Sequence, residues 1–236
     1  MEQPALVAGL AALILLLAAG AIALVIRKRM RAMQAQLTQQ RDTIDQSMHT
    51  LSGLVDAMDP YTVGHSERVA HYARELARRM GKSKKEQESV YCAALLHDIG
   101  KVGIPAAILN KTEPLTDEDR AVIRTHTTVG GDMLSRFTSI SGIADGARYH
   151  HERYDGTGYA EHRTGDEIPE IARIIRVADS YDVMRSGRLH REGLSQDAIA
   201  EEFKRKSGTK FDPSLVPHIL GMIKDGYNPP ETDKQS

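Results

Sequence analysis

Residues 93–105 read AALLHDIGKVGIP. An apolar helical run ends there in an adjacent imidazole and carboxylate, His97 and Asp98. One carboxylate oxygen can join the imidazole on a metal ion while the other bridges to a second ion. Gly100 reads as a helix stop, and Lys101 sets a cation beside the pair. A lone His-Asp dipeptide is weak evidence, because an isolated histidine on a helix is usually a surface or hydrogen-bonded core residue. His49, His71, His162, His190 and His218 are read that way. His65, His126, the pair His150-His151 and Asp179 differ. They stand at helix starts, at helix ends, or within an apolar run where a lone carboxylate is costly to bury. Together they supply enough imidazole and carboxylate for two metals. Mixed histidine and carboxylate donors suit Fe, Mn, Zn or Ni rather than Ca or Mg.

Composition narrows the alternatives. The chain has 236 residues and a formal net charge of -1, too near neutral for a general binder of nucleic-acid polymers. The single cysteine, Cys92, excludes a disulfide framework and a thiolate zinc site; it reads as a small core residue. With no tryptophan and three phenylalanines, there is no stacking platform for single strands.

Residues 5–26, ALVAGLAALILLLAAGAIALVI, carry no charge, and RKRMR follows them. At ~1.5 Å per residue such a helix just spans a ~30 Å hydrocarbon core. The basic flank places everything after it in the cytoplasm by the positive-inside rule. A cleaved signal peptide would carry its basic residues before the apolar stretch, the reverse of this order. Residues 1–27 are therefore expected to be a single-pass membrane anchor. Residues 28–58 are expected to form a helical stalk, with Met30, Leu37, Ile44, Leu51 and Met58 recurring every seven residues. One heptad seam is compatible with a parallel homodimer. It suits equally a single amphipathic helix lying on the domain.

The rest reads as an all-α domain over residues 59–227, followed by a disordered tail, 228–236. Val69, Tyr72, Ala73, Leu76 and Met80 keep helical spacing up to Gly81. A second helix is expected from about Lys84 to Asp98. A third is capped by Thr116 and carries His126, and a fourth over about 140–151 carries the His pair. A Gly-rich loop, 152–169, leads into a helix opened by Pro169 that presents Ile175, Asp179 and Asp182 on one face. Asp212-Pro213 reads as the N-cap and first residue of the final helix.

Six motifs make a family visible: DPYTVGHSERVA (59–70), ALLHDIGKVGIP (94–105), RTHTTVGGDML (124–134), YHHERYDGTGY (149–159), IIRVADSYD (174–182) and GTKFDP (208–213). In this order, from about Leu51 to Leu220, the chain resembles the HD-GYP group of the HD phosphohydrolase superfamily. The resemblance implies a helical bundle acting as a two-metal phosphodiesterase that opens cyclic di-GMP to pGpG or GMP. It implies His65, His97, Asp98, His126, His150, His151 and Asp179 as ligands of two divalent ions, usually Fe or Mn. Asp98 would bridge them, Lys101 would contact the scissile phosphate, and Arg188 and Arg191 would grip the substrate. The chain departs from the family pattern in three places, one of them after Asp182, where Arg185 replaces a small hydroxyl residue and Leu189-His190 replaces Pro-Tyr while both arginines remain. Ala160 replaces the proline of the Gly-Tyr-Pro signature, which frees a fixed φ without removing a ligand. Tyr61 stands where some relatives carry an acidic third-metal ligand, so two metals are expected.

Two other readings are a non-catalytic module that binds cyclic di-GMP, and an HD phosphohydrolase for another nucleotide. A degenerate binding module would usually lack a ligand, and none is missing. Deleting residues 1–27 is expected to convert a membrane-bound protein, resistant to salt and alkaline washing, into a soluble active one. Secretion of a processed form would show a cleaved leader instead.

Overall fold

The computed structural model describes residues 3–59, 63–187 and 193–230. By backbone contact it divides into two units, Met1–Ser47 and Met48–Ser236. Arg188 and Arg191 lie outside the described residues, as do Tyr61 and the tail from 231.

The first unit is helix, the N-terminal part of α1 (Gln3–Met58). It contains an 18-residue window of mean hydropathy 2.8, none of it buried, long and apolar enough to cross a membrane. Met30, Leu37 and Ile44 of the heptad seam are exposed.

The second unit starts earlier than the expected residue 59. Met48, Ser52, Val55 and Asp56, spaced to share one face of α1, are buried. Leu51 and Leu54 point outward at 42% and 61% exposure. The face that docks is thus offset from the heptad seam.

α2 (His65–Arg79) buries Val69, Tyr72, Ala73 and Leu76, as its spacing predicts, and ends before Gly81 at φ 77°. α3 (Lys84–Leu95) opens with a capping box between Ser83 and Glu86. It stops three residues short of Asp98. Leu96 closes it, and a 3₁₀ turn, Ile99–Gly103, follows with Asp98 as its N-cap. Gly100 is therefore no left-handed helix stop. What demands glycine is crowding: a Cβ there would lie 1.9 Å from the His126 carbonyl oxygen.

After α4 (Ala106–Leu109), Thr116 and Asp119 form a capping box for α5 (Asp117–Arg124). That helix ends before His126, which instead begins α6 (His126–Leu134). α7 (Ile143–Tyr149) is shorter than expected, with His150 as its C-cap. α8 (Glu170–Ser186) follows Pro169 as expected. α9 (Gln196–Arg205), capped by the Ser195 side chain on the Ala198 amide, has no counterpart in the sequence reading. α10 (Val216–Lys224) starts later than Asp212-Pro213 predicts. Asp212 does not cap it. Its carboxylate accepts from Ser214 N and Oγ at 2.8 and 2.7 Å and pairs with Arg173 at 2.5 Å.

α2 packs on α3 and α8, and α6 packs on α7 and the 3₁₀ turn. One main core joins Leu76, Leu95, Ile143, Ile175 and Tyr181 to Phe203, Phe211 and Ile219. No β-strand occurs among the described residues, so the all-α expectation holds. Phe203 is fully buried, its ring 4.6 Å from that of Phe211. Phe203→Ala is expected to cost about 3–5 kcal/mol in urea unfolding, as for a buried aromatic truncated to a cavity. A loss under about 1 kcal/mol would mean that α9 adds little to the core.

Candidate metal centre

The predicted ligands come from separate elements, mostly from helix ends. His65 is the first residue of α2 and His126 the first of α6. His97 and Asp98 lie between α3 and the 3₁₀ turn, which carries Lys101. His150 and His151 follow α7, while Asp179 sits in mid-α8. Helix ends let side chains project past their own backbone, so several helices can converge on one point.

They converge on Asp98. Its Oδ1 is 3.3 Å from His126 Nε2 and 3.6 Å from His150 Nε2. Its Oδ2 is 3.5 Å from His97 Nε2 and 2.7 Å from Lys101 Nζ. Two donor groups result, each with its ligand atoms within 4.8 Å of one another: Asp98 with His126, His150 and His151, and Asp98 with His65 and His97. Asp98 belongs to both. Asp179 Oδ1 joins the second group, 3.5 Å from His65 Nε2.

The surroundings fix which nitrogens face inward. Nδ1 of His97 is 2.7 Å from the Ala94 carbonyl, that of His126 2.7 Å from Ile123, and that of His150 2.8 Å from Ala147. A carbonyl only accepts, so each Nδ1 donates and each Nε2 carries a lone pair. The Nε2 atoms of His126 and His150 are 3.4 Å apart and buried. Two lone pairs facing each other beside a carboxylate repel unless a cation lies among them. The donor set therefore fits divalent metals on its own chemistry.

His65 is oriented differently. Its Nδ1 is 2.8 Å from Asp182 Oδ2, a carboxylate that Arg68 also holds at 2.7 and 3.0 Å. This is the outer carboxylate that commonly aligns a ligating histidine. The sequence reading placed Asp182 on the Asp179 face and gave it no role. His151 is the exception among the histidines. Arg176 Nη1 stands 3.0 Å from its Nδ1, and Tyr159 stacks on its ring at 4.8 Å. A guanidinium only donates, so Nδ1 accepts there. Ligation through Nε2 calls for the tautomer with its proton on Nδ1, which is incompatible with this hydrogen bond from Arg176.

Protonation states agree for the His150–His151 pair and for the two carboxylates. Burial pushes His150 down to about 4, and burial with His150 and Arg176 as neighbours holds His151 well below its usual range. Burial opposes ionisation of Asp98, yet Lys101 and His97 hold its carboxyl well below the carboxylate range. Asp179 is lowered against burial by His65 and His97. Lys101 is raised against burial by Asp98. Burial lowers His65, but Asp182 and Asp179 outweigh it and raise the ring overall.

A cavity of about 340 Å³ opens over the centre. His65, His97, Asp98, Lys101, His126, His151 and Asp179 line it together with the apolar Ile108, Leu109, Leu115 and Ile123. Asp59 and Tyr159 also line it. Of the histidines set aside in the sequence, His71 lies elsewhere, against Arg74 and Tyr91, and His190 is outside the described residues.

A family model for the HD domain matches residues 49–215. The chain is 35% identical over 194 residues to a cyclic di-GMP phosphodiesterase response regulator of Xanthomonas campestris, covering 79% of this chain and 51% of that protein. It is 36% identical to a 3'3'-cGAMP-specific phosphodiesterase of Vibrio cholerae (77% and 40%) and 36% identical to a cyclic di-GMP phosphodiesterase of Thermotoga maritima (80% and 52%). The chain thus spans about half the length, or less, of these relatives. Among solved structures, a cyclic GMP-AMP-specific phosphodiesterase of V. cholerae superposes with TM-score 0.61 at 22% identity, covering 75% of this chain and 48% of that one. An HD domain of a Listeria monocytogenes phosphodiesterase superposes with TM-score 0.53 at 20% identity (75% and 96%). These structures establish the fold.

Gly100→Ala tests the centre without touching a ligand. Its Cβ would collide with the His126 carbonyl oxygen and, at 2.5 Å, with Gly130 N, so α6 must shift. Metal affinity is expected to fall by about 10–100-fold, as for other disturbances behind a ligand, with helix content by circular dichroism kept. Unchanged affinity would show that His126 tolerates the displacement.

Proposed function

Because the chain belongs to the HD domain family, we propose that it is a metal-dependent phosphodiesterase that hydrolyses cyclic di-GMP to pGpG or GMP. The single observation that carries this reading is Asp98, whose two oxygens face two groups of inward-pointing imidazole lone pairs. Two divalent ions, Fe or Mn by resemblance, would be held by His65, His97, Asp98, His126, His150, His151 and Asp179. When bound, such a pair supplies an activated water and Lewis acidity for an in-line displacement at phosphorus.

The chain's own residues do the rest. The ionised Asp98 holds the two halves of the centre in register. Lys101, charged and 2.7 Å from Asp98 Oδ2, offers its remaining N–H bonds to the phosphoryl oxygens of a bound diester. The apolar Ile108, Leu109, Leu115 and Ile123 suit the face of a base. Arg188 and Arg191, outside the described residues, are retained as substrate-gripping groups, since a planar guanidinium meets a phosphate or guanine edge through two parallel hydrogen bonds.

A second reading, 3'3'-cGAMP as substrate, rests on relatives of that name at similar identity. Anchoring by residues 1–27 rests on the apolar helix of the first unit, and a parallel homodimer on its heptad seam.

Full-length protein loaded with Mn or ferrous ion and given cyclic di-GMP or 3'3'-cGAMP separates these readings by chromatography of products. Linear pGpG or GMP from the first substrate is expected, and faster turnover of the second would reassign the substrate. Asp98→Ala should abolish hydrolysis and lower bound metal; full activity in metal-replete Asp98→Ala would sink the two-metal reading. Changing Arg188 and Arg191 to Ala together should weaken cyclic di-GMP binding by roughly 1.5–3 kcal/mol per charged hydrogen bond lost. Metal content should stay unchanged, and turnover of bis(p-nitrophenyl) phosphate should be far less affected. Equal loss on both substrates would place the arginines in support of the metals.

A further inference from the structure

The end of α1 touches the metal centre twice. Asp56 is buried, and its carboxylate accepts from Ser66 Oγ at 2.6 Å and Ser66 N at 3.2 Å. Ser66 directly follows His65. The N-cap of α2 is Gly64, at φ 70°, which has no side chain to satisfy the helix's first amides. Asp56 therefore caps α2 from another helix, and its negative charge suits the positive helix start.

Asp59 is the residue just past the end of α1; its amide bonds back to the Asp56 carbonyl at 3.3 Å. Asp59 Oδ2 is 3.6 Å from Lys101 Nζ, the cation bonded to Asp98, and Asp59 lines the cavity over the centre. Successive carboxylates thus reach the two elements that meet at Asp98: the helix start bearing His65 and the turn bearing Lys101. A carboxylate is an expensive side chain to bury where an apolar one would fill the space. Burial indeed raises the Asp56 carboxyl in spite of its Ser66 hydrogen bonds. Met48, Ser52 and Val55 bury the same face and hold this end of α1 on the domain.

We propose that the last turn of α1 and the residue that follows it form a positioning element of the active centre, in which Asp56 sets His65 through Ser66 and Asp59 sets the Lys101 ammonium. The proposal rests on the metal reading above. Neither carboxylate need bind a metal. Displacing this turn would disturb a ligand and a phosphate-binding cation together.

The test uses the full-length chain in detergent, titrated with Mn²⁺ and followed by electron paramagnetic resonance. Asp56→Asn and Ser66→Ala are expected to weaken one of the two Mn²⁺ sites, the one that includes His65, by about 10–100-fold while the other keeps its affinity. Asp59→Asn is expected to leave both sites intact and to lower kcat on bis(p-nitrophenyl) phosphate by about tenfold. Asp59→Glu should recover part of that loss. Wild-type Mn²⁺ binding in both Asp56→Asn and Ser66→Ala, or wild-type kcat in Asp59→Asn, would overturn the proposal. So would equal weakening of both sites in step with a lowered Tm, the mark of a merely structural role. If wild-type protein cleaves no cyclic dinucleotide, the substrate assignment fails while the Mn²⁺ titrations still decide the role of Asp56.

Discussion

The Asp98 carboxylate is the constraint on which the rest of the structure depends. An ionised carboxylate buried beside inward-facing imidazole lone pairs is tolerable only with cations close by. Lys101 supplies one, and the donor set is built for others. The helices are arranged to bring this about. α3 stops at Leu95 so that a 3₁₀ turn can aim Asp98 inward, and Gly100 lets the first residues of α6 lie against that turn.

Around this centre runs a shell of groups that bind nothing themselves. Main-chain carbonyls set three imidazoles, and the Asp182–Arg68 pair sets a fourth. This shell is a by-product of helix ends. Where a helix ends, its last carbonyls lack intrahelical partners, and a histidine just beyond can donate to them. His97 to Ala94 and His150 to Ala147 follow that rule, each reaching back three residues. Imidazole orientation and helix termination are one event there.

His151 stands apart, facing Arg176 and Tyr159 instead of a carbonyl. Arg176 lies three residues before Asp179 on α8 and also approaches its carboxylate, at 3.7 Å. The side of the centre nearest His151 therefore carries an extra fixed positive charge. Such a charge offsets the neighbouring carboxylates of Asp98 and Asp179.

The motifs by themselves supplied the candidate ligand roster, through the family resemblance, because the side chains a metal would need are written directly in residue identity. The helical class and the caps at Thr116 and Pro169 were equally legible, being set by local periodicity and local hydrogen bonding. So was the apolar N-terminal stretch. What lay beyond the sequence was every property that depends on a neighbour distant in the chain. Asp182 became the orienting partner of His65 only when α2 met α8, across 117 residues. Asp212 looked like a helix cap because Asp-Pro usually is one, but a half-buried arginine from α8 offered it a stronger partner. Gly100 looked like a helix stop, and only the packing of α6 against it revealed a requirement for empty space. The start of the domain moved back to Met48 because a heptad pattern does not say which face of a helix will find a core. Side-chain chemistry is a property of the residue, whereas burial, orientation and electrostatic partnership are properties of the fold.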